Sequence, residues 1–284
     1  MGQYHYLIAG LPDITLDDSK QVYSVYDFKQ ELDETLTKGD KNLLSLFFLK
    51  YDNQNLIYWL EDPETDFDER GTFSKEDFEE LDALLKEGKK APKKIPTYIV
   101  EFYKAYLEAE EQPVISWEDT LAGLYYAYAM KFGSEFFSQW FEMNLNIKNV
   151  LTAITCRKHD LDRNLYIIGT SDVADSLRNS NSRDFNVGDE IDYLPALLRI
   201  AEDVDLVMRE KKIDILKWEW LDDNTIFNVF GIESVFAYLL KVEMIERWAS
   251  LDKEIGENTF RELVGALKKD SNNALEEFKK NNKR

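Results

Sequence analysis

The chain is short of the residues that most reactive sites are built from. It has one cysteine, Cys156, and two histidines, His5 and His159. One cysteine excludes an intramolecular disulfide and a cysteine zinc cluster, and suits a reducing compartment. Two histidines are too few for the clusters that metal hydrolases use. Positive charge is scarce too: 35 basic residues face 55 acidic ones, a net charge of −20. That sign opposes direct binding to a phosphate backbone or to anionic lipid. Long apolar runs are missing. The longest uncharged one, Thr120 to Met130, falls well short of the roughly 20 residues that span a bilayer. Met1 to Leu11 has no basic region of the kind that opens a secretory signal. Neither a Gly-rich phosphate loop nor a Gly-x-Ser-x-Gly elbow occurs.

What is present suits helices. Only six prolines and twelve glycines punctuate the chain, and the runs between them read as an all-α, mainly helical fold of about ten helices. Asp17 to Leu36 is one helix, expected to stop at Gly39. Lys41 to Lys50 is a compact apolar run, either buried helix or strand. Ser74 to Asp77 forms a capping box opening a helix to Lys86, and Ser116 to Asp119 gives the same start signal. Phe136, Phe137, Trp140 and Phe141 make an aromatic stripe at helical spacing, and Asn146 to Lys158 is a further helix. Asn179 to Gly188 is a loop. Ile191 to Lys211 reads as one helix with Pro195 in its first turn. The strongest periodicity, Ile232, Val235, Phe236, Leu239, Val242, Ile245 and Ala249, predicts a long helix from about Thr225 to Leu251. Gly256 interrupts it, and a charged helix follows to about Lys280. Short strands near Tyr4–Ile8 or Leu56–Leu60 are the minor β component this reading allows.

Charge is unevenly placed. Residues 1–145 hold 29 acids and 14 bases, net −15, and residues 146–284 hold 26 and 21, net −5. Between Glu61 and Glu87, 12 acids face 3 bases, and Lys86, Lys89, Lys90, Lys93 and Lys94 follow. A charge run of this kind is expected to be a solvated face.

Local motifs are weak. Asp66 to Asp77 resembles a calcium loop, with acids at its first and third positions and Gly71 at the sixth. However, Arg70 puts a cation at the fifth and Asp77 replaces the long glutamate at the twelfth. Asp160, Asp162 and Asn164 start a second such loop, but Leu165 stands where glycine is needed. Arg157 and Lys158 beside Cys156 would lower a thiol pKa, yet no base partner is evident, and an ordinary buried cysteine is the simpler reading. His159 and Asp160 lack companion ligands. Trp218 and Trp220 are expected in core or interface packing.

Two segments of the second half carry a resemblance. Asn146-Ile-Lys-Asn149-Val with Arg157, behind the aromatic pair Trp140-Phe141, resembles an element of the C subunit of archaeal-type and vacuolar-type ATPases, the eukaryotic subunit d. Asn144 or Asn146 stands where that family often has an acid. Tyr238 to Arg247, with Glu243 and Glu246, resembles the family's closing helix. The opening, Tyr4-His-Tyr-Leu-Ile-Ala-Gly-Leu-Pro-Asp13, is similar to uncharacterised bacterial proteins encoded among V-type ATPase genes in Bacteroidetes. The resemblance implies a funnel of helix-bundle lobes over residues 1–284, divisible at about 1–112 and 113–284. It implies a non-catalytic rotor-stalk adaptor, on the cytoplasmic face of the inner membrane, that links the central-stalk subunits to the membrane rotor ring. No cofactor, metal or catalytic residue is implied. Asn149, Arg157, Glu243 and Arg247 would brace helices within the fold or near the socket. An acidic helical protein-interaction module unrelated to the ATPase, and an enzyme using a carboxylate or metal pocket, are the alternatives.

Overall fold

The computed structural model describes residues 4–16, 24–111 and 113–251. These are helical, with no strand among the described residues. In chain order the helices are α1 (His5–Gly10), α2 (Val25–Thr35), α3 (Lys38–Glu61), α4 (Lys75–Lys86), α5 (Thr97–Glu108), α6 (Trp117–Ala129), α7 (Glu135–His159), α8 (Asp172–Asn179), α9 (Leu194–Ala201) and α10 (Leu206–Thr225). A 3-10 turn, Arg163–Leu165, follows α7. α11 starts at residue 232 and is helical through 251.

Side-chain caps set most starts. Ser24 accepts the Asp27 N–H at the head of α2 (2.9 Å), and Ser116 accepts that of Asp119 on α6 (3.1 Å). Ser74 and Asp77 complete a reciprocal capping box on α4, as the sequence predicts, satisfying amides that the first turn leaves free. Thr37 caps α3 in the same way. Gly39 therefore lies inside the first turn of α3 and ends nothing; α2 ends at Thr35. Residues 17–23 of the expected first helix, and the expected helix beyond Gly256, lie outside the described residues.

Four expectations change. The segments near Tyr4–Ile8 and Leu56–Leu60 are helical, in α1 and the last turns of α3. The aromatic stripe and the segment after it form one continuous helix, α7. Ile191 to Lys211 divides into α9 and α10, because Asp205 turns to cap a new helix and accepts the Val207 and Met208 amides (2.9 and 3.2 Å). The long helix expected from Thr225 starts only at residue 232, after a turn in which the Gly231 N–H donates to the Asn228 carbonyl (2.9 Å).

Two cores result. The larger gathers buried residues of α2 to α6, the first turns of α7 and α11. α3 is buried on nearly all sides, through Leu44, Phe47, Phe48, Leu56 and Trp59 among others, as expected for a central helix. Phe236 of α11 meets Phe137 with ring centroids 4.6 Å apart. Each such side chain contributes about 1.5–3 kcal/mol on burial. The smaller core joins Met143, Ile147, Val150 and Ala153 of α7 to α8, α9 and Ile213 of α10. The cores therefore meet within α7, between Phe141 and Met143. α5 and α6 pack against each other.

The chain's early segment closes on α11. Tyr4 donates its N–H to Phe230 (3.2 Å), His5 lies 4.4 Å from the Phe230 ring, Tyr238 donates to the Pro12 carbonyl (3.1 Å), and the Val25 N–H donates to Glu246 (2.9 Å). No described helix is long and apolar enough to cross a membrane.

Candidate functional site

The most charged interior region is a cleft of about 250 Å³ where α3, α6, α7, α10 and α11 converge. α3 supplies Lys50, α10 supplies Glu210, Asp214 and Lys217, and α11 supplies Glu243 and Arg247. Asp214 and Lys217 stand three apart on α10, and Glu243 and Arg247 stand four apart on α11. Helical spacing thus points each pair the same way.

Two ion pairs cross the cleft. Lys50 Nζ lies 3.0 Å from Glu243 Oε1, with the ammonium 4.1 Å from the Phe47 ring centroid. The Arg247 guanidinium donates to Asp214, and the Trp248 indole N–H donates to the same oxygen at 2.7 Å. Glu210 is 3.9 Å from Arg247, and its side chain is about half exposed. Asp214 is 2% exposed. Burial pushes its carboxyl up despite Arg247 and Trp248. Burial pulls the Lys50 and Lys217 ammoniums below their ordinary values, against the attraction of Glu243 for both and of Asp214 for Lys217. For Glu243, burial alone would raise the carboxyl, but Lys50, Arg247 and Lys217 outweigh it and hold it low. Charges drawn out of water are costly unless paired, so the two ion pairs tie α11 to α3 and α10.

The other two residues singled out from sequence lie elsewhere, on the later turns of α7. Asn149 is buried. Its Nδ2 donates to the Ile168 carbonyl (2.7 Å), and its Oδ1 accepts the Ile168 N–H (3.1 Å). Arg157 donates to the Ser182 carbonyl (2.7 Å) and stacks 3.7 Å from the Phe185 ring centroid. Phe185 is fully buried with φ of 57°, a left-handed conformation that a bulky residue adopts only when its surroundings impose it. Arg163 donates to the Leu177 carbonyl (2.8 Å) and Arg178 to that of Ile167 (2.8 Å). These arginines tie backbone carbonyls of neighbouring segments together. The four predicted residues thus form one pair in the cleft and two separate braces.

The calcium-like loop is bound from within. Asp68 is held by the Arg70 guanidinium, which with its other hydrogen bonds keeps the carboxyl low. Asn55 clamps Asp68 through both backbone groups (3.1 and 2.8 Å). Buried Asp52 accepts the Thr72 and Phe73 N–H groups (2.6 and 2.9 Å). Asp77 is engaged by its capping box and by Lys94. At Gly71 an added Cβ would meet Asn55 and Asp52 atoms at 2.9 Å, so the glycine permits loop packing on α3. Among the described residues, no three His, Cys, Asp or Glu converge as a metal site requires. Burial raises the Cys156 thiol, outweighing the neighbouring Arg163 charge, so the lowering expected from adjacent cations does not follow. Trp218 lies under the Lys241 ammonium at 4.7 Å, and Trp220 packs against Phe136 and Trp140.

The lysine cluster folds back on the acidic segment. Lys86 pairs with Asp82, Lys89 with Glu87, and Lys94 with both Asp77 and Glu80.

Sequence reading missed Lys50, Asp214 and Lys217. The only local signal was their position: Lys50 closes an apolar run, and Asp214 stands between Ile213 and Ile215.

Residues 1–271 match a family described as a protein of unknown function, DUF2764, and the chain belongs to that family. No curated protein and no solved structure matches it.

Proposed function

We propose that this chain is a non-catalytic adaptor of a V/A-type ATPase coupled to protons or sodium ions. It would join the central-stalk subunits to the membrane rotor ring from the cytoplasmic face of the inner membrane. Support comes from the resemblance of three segments, the opening Tyr4–Asp13, the Asn146–Arg157 element and the Tyr238–Arg247 helix. The observation that carries the reading is how the last of these uses its charges. Glu243 and Arg247 are taken up in ion pairs that fix α11 to α3 and α10. A part that passes torque needs this kind of rigidity, and it needs no reactive group.

An interaction module unrelated to the ATPase is the second reading. It draws on one feature, the exposure of Tyr6 (90%) and Phe227 (95%), since exposed aromatics mark contact surfaces. The two readings separate by experiment. The intact chain, tagged and mixed with the stalk and ring subunits of its own organism, is expected to retain both. Failure to retain either removes the adaptor reading and leaves the module.

A further inference from the structure

The cleft contains one cation more than its ion pairs use. Lys50 is taken by Glu243 and Arg247 by Asp214. Glu210 sits at the rim, where its half-exposed side chain is screened by water. Lys217 faces the same space, and among the described residues it makes no hydrogen bond or ion pair within 4 Å. Asp214 and Glu243 attract it only at longer range. The lining holds Lys50, Lys217 and Arg247 against Glu210, Asp214 and Glu243, so it balances as a whole, and the one ammonium without a direct partner among the described residues is that of Lys217.

The walls define the rest of an occupant. Phe47, Tyr125, Tyr126, Trp140, Phe141 and Phe236 line the space, and the first Tyr hydroxyl is already engaged, donating to the Leu46 carbonyl at 2.8 Å. Apolar and aromatic walls with a few convergent polar groups are the usual make-up of a small-molecule site. A cation is disfavoured beside the unpaired Lys217 ammonium, although aromatic faces alone would attract one. A dianion would bring a second charge that no unpaired cation meets. About 250 Å³ suits one or two fused rings.

We propose that this cleft binds a small aromatic carboxylate, its ring between the aromatic walls and its carboxylate paired with Lys217. The inference is independent of the adaptor reading.

Calorimetric titration of the full chain with 2-naphthoate, and in parallel with the uncharged 2-naphthamide, tests it. The acid is expected to bind once per chain and at least tenfold more tightly than the amide. Lys217→Met should reduce naphthoate affinity to that of the amide, while Lys217→Arg stays within about threefold of the original chain. The methionine variant should unfold at the same temperature or higher, since a half-buried ammonium without a hydrogen-bond partner is removed. No binding at millimolar naphthoate overturns the proposal, as does equal affinity for acid and amide, a comparison that needs no variant. Unchanged affinity in Lys217→Met also overturns it. So does loss of folding in that variant, because Lys217 would then belong to the ionic lock itself.

Discussion

Asn149 on α7 grips Ile168 from both sides, donating to its carbonyl at 2.7 Å and accepting its N–H at 3.1 Å. All of these groups are buried. The carboxamide satisfies one donor and one acceptor that the loop's backbone cannot pair internally. Asn55 makes the same pair of hydrogen bonds to the Asp68 backbone from α3, so the two long helices each fix a loop by one asparagine. Asn149→Leu has similar volume and strands both Ile168 groups. We expect a loss of about 2–4 kcal/mol in urea unfolding, from two unsatisfied buried groups. A loss below 1 kcal/mol would mean the loop re-pairs with water.

Arg247→Met leaves Asp214 buried with only the Trp248 donor. A broken buried pair costs about 3–5 kcal/mol; the partial exposure of Arg247 places the expectation at about 2–3 kcal/mol. Adding Asp214→Asn should recover much of that loss. A double variant no more stable than Arg247→Met alone would show that the two groups act separately.

Asp52 gives stability a specific pH dependence. Burial pushes its carboxyl up to about 6, although the Phe73 and Thr72 N–H groups and Lys29 favour the charged form. Its folded pKa exceeds the unfolded value, so the native state holds the extra proton between about pH 4 and 6. The contribution is present below pH 4 and is lost as pH rises through 6, about 3 kcal/mol in all. Asp68 and Asp77 are held low, so their stabilisation runs the other way and is lost in acid. Asp52→Asn retains an acceptor for the two amides and removes only the Asp52 component. Thermal unfolding of both proteins from pH 3.5 to 7.5 should show the variant gaining on the original chain as pH rises. Parallel profiles would refute the assignment.

Salt tests the charge segment. Lys86, Lys89 and Lys94 neutralise part of the Glu61–Glu87 excess locally, and such exposed pairs are worth less than about 1 kcal/mol each. The net acidity remains available for steering towards a basic partner surface. Retention of the stalk and ring subunits is expected to weaken as salt rises from 50 to 500 mM. Salt-independent retention would take charge out of the interface.

The capping signals were readable because Ser74 with Asp77, and Ser116 with Asp119, act over three residues. The ends of α9 and the start of α11 were not. Apolar residues continue on both sides of Glu202–Asp205 and through Ile226–Phe230, and Asp205 as a cap and the turn before Gly231 set the breaks. Leu56–Leu60 suits a strand locally, yet it continues a buried helix, as packing overrides short-range preference. At the cleft, resemblance pointed to Glu243 and Arg247, whereas Lys50 and Asp214 looked like any solvated charge. Lys50 and Glu243 meet across about two thirds of the chain, and no spacing rule reaches that far.

The proposed rotor-stalk role is decided by electron microscopy of the intact ATPase, purified from its own membranes through a tag on a different subunit. This helical chain is expected between the central stalk and the ring, with α11 locked to α3 and α10 as described. A complete, coupled ATPase whose stalk and ring meet without it would remove the proposal.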